Sequence, residues 1–200
     1  AGGRRRRITE VNIGICFPEL TDEQRAALVR RTFISAGMAL METLYAWLRP
    51  VDQLSSRIDV IGLDVLKRVQ AQGRGVMLVG AHFLTLDLAG ALITTITDID
   101  VIYRHNKNPV INHLMVKGRE RLYGQVIERA NIRKSVRSLR ASRTIWYAAD
   151  QDYGPRHSVF APFFDQPAAT ITAASRMAMI NHSPVVFFSH FRNEKSLTWS

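Results

Sequence analysis

Apolar residues recur along this chain in two rhythms. Over residues 21–48 the spacing is helical. Thr21-Asp22-Glu23-Gln24 has the form of a capping box, with Thr21 as N-cap and Gln24 three residues on, and Pro50 ends the helix. Its second half, residues 32–48, carries one charge, Glu42, among Phe33, Ile34, Met38, Leu40, Met41, Leu44, Trp47 and Leu48. Such a run serves as a core helix, or as a helix lying in a membrane interface with Tyr45, Trp47 and Arg49 at one end. At this length it also sits at the short limit for a membrane span.

From residue 60 onward, short apolar runs alternate with helical stretches. Residues 76–79, 100–103, 144–149 and 184–188 read as strands. Residues 63–72, 84–94, 108–123, 133–142 and 168–181 read as helices, the first ended by Gly73 and the third opened by Asn108-Pro109. Proline at a first helical position lacks only an N–H that would have no partner there anyway. Strands alternating with helices predict an α/β fold: a mostly parallel sheet flanked by helices, with an N-terminal helical arm. No repeat, low-complexity stretch or Gly/Ser linker divides the 200 residues, so one domain is expected.

Composition narrows the classes. Apolar residues at 46% and charged residues at 22% describe a globular chain that buries a core without staples. Cys16 is the only cysteine, which excludes an intramolecular disulfide and a multi-cysteine zinc site. The histidines show neither His-x-x-x-His nor H-E-x-x-H, so no metal is expected. Lys plus Arg number 27 against 17 Asp plus Glu, a net charge of +10. That excess implies an acidic partner: nucleic acid, anionic lipid, a phosphorylated substrate or an acidic carrier protein. Nucleic acid is set aside, because no zinc-finger spacing, RNP-like aromatic block or homeodomain-like helix accompanies the charge. The chain opens on Ala1-Gly2-Gly3 and Arg4 to Arg7 without Met or a secretory signal, and closes as a strand begins at 196–200. A fragment is expected, lacking an N-terminal membrane helix, whose cytoplasmic end the arginines would flank, and a C-terminal part.

Chemistry concentrates where strands end. Residues 76–79 deliver His82 to a turn, and Asp87 follows five residues later at the start of a helix. Open α/β sheets gather their sites at strand carboxyl ends. Asp87 could fold back onto one ring nitrogen and leave the other to take a proton from a hydroxyl. For an isolated His-x4-Asp the plainer reading is favoured: His82 caps the helix and Asp87 satisfies its first-turn N–H groups. Asp150 and Asp152 leave the third strand in Asp150-Gln151-Asp152-Tyr153-Gly154-Pro155. These are turn formers, or carboxylates that orient an arginine or a substrate hydroxyl. Arg104 ends another strand toward the same edge, whereas most other arginines suit a solvated helix face. Residues 157–164, rich in Phe, line an acyl pocket or pack as a loop. No G-x-S-x-G elbow is present, and Cys16 lies far from any His, so a protein nucleophile has no support.

Several ordered blocks together resemble the late acyltransferases of lipid A biosynthesis, within the wider glycerolipid acyltransferase-like group marked by His-x4-Asp or His-x4-Glu. They are residues 12–19, Gly37-Met38-Ala39-Leu40, Gly80-Ala81-His82-Phe83-Leu84-Thr85-Leu86-Asp87, Val101-Ile102-Tyr103-Arg104 and residues 144–154, then Ser158-Val159-Phe160, Pro162-Phe163-Phe164 and Ala168-Ala169-Thr170. The resemblance reverses the preference at His82. It implies transfer of an acyl chain from acyl carrier protein to a hydroxyl of a lipid A precursor, Kdo2-lipid IVA, at the cytoplasmic face of the inner membrane. His82 would be general base and Asp87 would orient it. Arg119 is the best match to an arginine important in the family; Arg104, Asp150, Asp152 and Tyr153 fall in family blocks as substrate-binding candidates. A thioester donor is already activated, so no cofactor is expected. Family members usually carry Glu where Asp87 stands, which shortens the reach by one methylene. The rival readings are an acyltransferase of another acceptor, a glycerol phosphate or a glycolipid, and a non-catalytic protein of the same fold that binds anionic lipid.

Overall fold

The computed structural model describes residues 2–151, 154, 158–193 and 195–200. Helices α1 (Gly2–Cys16) and α2 (Asp22–Leu48) form the arm. Then follow α3 (Leu63–Gln70), β1 (Val76–Gly80), α4 (Leu86–Ile93), β2 (Ile99–Tyr103), α5 (Pro109–Glu120), β3 (Val126–Glu128), α6 (Ile132–Arg140) and β4 (Thr144–Ala148). After β5 (Ser158–Phe163) and β6 (Gln166–Ile171) come α7 (Ala173–Asn181), β7 (Val185–Phe187), β8 (Arg192–Asn193) and β9 (Thr198–Trp199). The central sheet has the order β3-β2-β4-β1-β7, and its pairs are parallel.

Both faces of that sheet are covered, as parallel sheets require. Leu78, Trp146, Val101 and Ile99 pack on one face with Ile93 of α4 and Tyr123. Met77, Ile145 and Ile127 pack on the other with Leu139 of α6 and Met177 of α7. Two glycines set how closely the helices approach. A Cβ at Gly90 would stand 2.0 Å from Trp146 Cζ3, so α4 lies directly on the sheet. A Cβ at Gly118 would stand 2.6 Å from Trp47 Cβ, so α5 lies directly on α2.

The expected capping box opens α2: Thr21 accepts from the Gln24 N–H, and Gln24 accepts from the Thr21 N–H. Its apolar half packs along one side only, and Ile34, Leu40, Met41 and Leu48 are 53%, 58%, 59% and 51% exposed on the other. Ala46 is fully buried beside Leu88 and Leu92 of α4. Glu42 is part of a buried pair: its Oε1 lies 2.8 Å from Arg192 Nη1 and accepts from Trp199 Nε1 at 3.1 Å. Among the described residues, no helix is long and apolar enough to cross a membrane.

Strands β3, β5 and β6 (residues 166–171) stand where the sequence expectation had none. Residues 168–171 belong to β6, and the helix begins only at Ala173. Phe164 and Asp165 both take positive φ, 50° and 56°, and turn β5 back onto β6 as an antiparallel hairpin. Cross-strand pairing overrides the helix preference of Ala168 and Ala169. The Phe-rich stretch is therefore an exposed hairpin: Phe160 is 72% and Phe163 61% exposed. The Phe164 ring packs on Phe17 of the arm, with centroids 5.1 Å apart.

Candidate functional site

The site is built by register. Strands β1 and β4 are neighbours, and Gly80 pairs with Ala148. Two residues beyond each partner stand His82 and Asp150. The Asp150 carboxylate holds His82 twice: Oδ2 accepts from the backbone N–H at 2.9 Å, and Oδ1 lies 2.5 Å from Nδ1. The Gln151 amide nitrogen lies 3.1 Å from His82 Nε2. An amide nitrogen only donates, so Nε2 carries the lone pair and Nδ1 the hydrogen that faces Asp150. Both side chains of the pair are about 40% exposed, so the ring is open to an incoming molecule.

Asp87 faces elsewhere. It lies in the first turn of α4, and its Oδ1 accepts from Arg119 Nη2 at 2.7 Å, Arg119 Nε at 3.2 Å and Trp47 Nε1 at 3.1 Å. In this structure the carboxylate on the His82 ring is that of Asp150, whereas Asp87, expected to lie there, is held by Arg119 and Trp47. The cause is electrostatic. Arg119 is buried on α5, and a buried guanidinium demands a counter-charge. Burial alone would lower the Arg119 pKa; the Asp87 charge, with smaller help from Tyr123 and Tyr103, outweighs it and raises that pKa above its usual value. Burial likewise pushes the neighbouring Tyr123 hydroxyl upward, so it stays neutral. Asp87, Arg119 and Trp47 tie three helices together beside the His82 turn.

The remaining sequence candidates fall as follows. Arg104 follows β2 at the same sheet edge, is exposed, and makes no ion pair among the described residues. Asp152 and Tyr153 lie outside the described residues. Residue pattern alone missed His190, which follows β7 and is 3% exposed. Its Nδ1 lies 2.7 Å from Thr85 Oγ1, and Phe83 packs edge-on against the ring at 5.1 Å. Burial pushes its pKa down to about 4. His190 therefore holds the 83–85 segment as a neutral ring. A lone histidine late in a sequence gives no sign of this. Asp150 as partner of His82 carried a readable sign only if β1 and β4 were known to be neighbours. Among the described residues, no group of three or more His, Cys, Asp or Glu could hold a metal.

A parallel α/β domain that offers a His–Asp pair at the carboxyl edge of adjacent strands has its reactive groups where such sheets bind ligands. The profile of the bacterial lipid A biosynthesis acyltransferases matches residues 1–200, and the chain belongs to that family. It is 39% identical over 186 residues to the lipid A biosynthesis lauroyltransferase of Escherichia coli K12, covering 92% of this chain and 61% of the relative. It is 41% identical over 161 residues to the palmitoleoyltransferase of the same organism, covering 80% of this chain and 53% of the relative. A lipid A biosynthesis acyltransferase of Haemophilus influenzae is 35% identical over 195 residues, 96% of this chain and 62% of the relative. The chain thus spans between half and two-thirds of the length of these relatives.

Proposed function

We propose that this protein transfers an acyl chain from acyl carrier protein to a hydroxyl of a phosphorylated lipid A precursor, Kdo2-lipid IVA, at the cytoplasmic face of the inner membrane. The observation that carries the mechanism is the His82–Asp150 pair, about 40% exposed, with its Nε2 lone pair accepting from the Gln151 amide. The acceptor hydroxyl takes the place of the Gln151 amide at Nε2 and gives up its proton there. The oxygen attacks the thioester carbonyl and forms a tetrahedral oxyanion, which needs nearby donors. Collapse breaks the C–S bond, and the imidazolium returns the proton to the departing thiolate. Asp150 holds the Nδ1 hydrogen and stabilises the cationic ring between the two transfers. Asp87 acts at one remove, by holding Arg119 and Trp47 around the turn that presents His82. Arg104, Asp152 and Tyr153 are assigned to the anionic acceptor and its hydroxyls. The net charge of +10 favours both an acidic carrier and a phosphorylated acceptor.

The test uses the full-length protein in detergent micelles. Lauroyl-, myristoyl- and palmitoyl-carrier protein are each offered with Kdo2-lipid IVA, and the lipid is weighed by mass spectrometry. A gain of one acyl chain, lost in His82→Ala, supports the reading. No gain with any donor from folded protein overturns it. Transfer to glycerol phosphate in preference to lipid IVA would move the function to the rival acceptor.

A further inference from the structure

We propose that the groove between α1 and α2 is the acceptor site, in which Arg4 and Arg5 hold a phosphate and Ile8, Phe33 and Leu84 take a hydrocarbon chain leading to His82. The inference rests on the acyl-transfer reading above. The groove has a volume of about 760 Å³ and runs from the first turn of α1 to Leu84. Leu84 is two residues past His82, in the turn that carries it. One end is cationic: Arg4 and Arg5 are exposed and make no ion pair among the described residues. The floor is apolar, with Ile8 50%, Phe33 40% and Leu84 44% exposed, and no acidic residue lines the groove.

That combination selects its occupant. Guanidinium forks match phosphate oxygens in pairs. Bare hydrocarbon beside them wants an acyl chain. An acyl-bearing phosphorylated sugar lipid satisfies both ends with one molecule, and its chain then reaches Leu84 in the turn that carries the base. A folded acidic protein would satisfy the arginines but leave the floor wet. The opposite flank of the arm supplies the contrast. There a groove of about 700 Å³ is lined by Arg6, Arg30, Val29, Phe33 and Ile34. It includes no residue of the His82 turn, and Arg6 is already paired with Glu10 at 2.8 Å.

The experiment compares the full-length protein with Arg4→Gln/Arg5→Gln and with Arg6→Gln/Arg30→Gln, which removes the same charge from the other flank. Initial rates are taken with Kdo2-lipid IVA and with the same lipid after its phosphates are hydrolysed. Hydrogen bonds to charged groups contribute enough that losing them weakens binding about tenfold or more. The expected result is an acceptor KM raised about tenfold in Arg4→Gln/Arg5→Gln, with kcat and the donor KM unchanged, and no such difference on the dephosphorylated lipid. The inference is overturned if the acceptor KM stays at the wild-type value. It is overturned also if the donor KM rises instead, which marks carrier docking. An equal effect from Arg6→Gln/Arg30→Gln would mean general attraction to anionic surfaces and would likewise overturn it. If the wild type transfers nothing, the acyl-transfer reading fails separately. Binding of the two lipids in micelles then decides the groove: retention that needs both the phosphates and Arg4/Arg5 supports it, and equal retention overturns it.

Discussion

Arg119 and Asp87 form an ion pair from which water is nearly excluded, with side-chain exposures of 11% and 16% and an Nη2 to Oδ1 distance of 2.7 Å. Removing one partner of such a pair strands the other as a buried charge. Asp87→Ala should therefore destabilise the fold by about 3–5 kcal/mol. Urea unfolding checks it, with His82→Ala as comparison, since His82 is half open and its loss should cost about 1 kcal/mol or less. Equal destabilisation by the two variants would contradict the assignment of Asp87 to the helix junction.

His82 and Asp150 make the opposite case. Their pair is solvent-accessible, so Asp150→Asn should leave stability within about 1 kcal/mol. Its effect belongs to catalysis: kcat should fall by about 10²–10⁴-fold, because Asn neither fixes the tautomer as Asp does nor stabilises the cationic ring. The acceptor KM should change little. Steady-state kinetics on the micellar acceptor measure both. Full activity in Asp150→Asn would remove Asp150 from the mechanism.

His190 gives the fold a pH dependence. Its folded pKa of about 4 lies below the unfolded value of about 6.5. Between those values the unfolded chain binds the extra proton, so stability rises with pH across that window and is lost as pH falls through it. The full shift corresponds to at most about 3 kcal/mol. Unfolding in urea at pH 7.5, 6.0 and 5.0 should show wild type losing stability that His190→Gln does not lose. Parallel pH profiles for both proteins would refute it.

Gly90 tests the packing of α4. A methyl placed there meets the Trp146 ring at 2.0 Å and the Tyr123 hydroxyl at 2.5 Å. Gly90→Ala raises helix propensity by about 1 kcal/mol, yet it should lower stability by about 1–3 kcal/mol, because overpacking wins. Thermal unfolding of the variant decides the sign.

Much of this protein is legible in the chain alone. The Thr21 box, Asn108-Pro109 and Gly73 mark helix ends by local hydrogen bonding, and the apolar runs ending at Gly80 and Ala148 mark buried strands. Family blocks pointed to lipid A acyl transfer, and His82 stood out because a strand delivers it to a turn. Those signals are local, so neighbouring residues suffice to encode them. What the chain could not disclose depends on which distant segments meet. Residues 168–171 form a strand only because 158–163 lie opposite. Glu42 is a buried ion pair only because Arg192 reaches α2. Asp87, five residues from His82, is drawn to a buried arginine on α5. Asp150, 68 residues away, reaches the ring because β1 and β4 pair in register. Spacing along one chain measures contour length; the partner of a charged group is chosen by distance and burial, which only the packed sheet and helices decide.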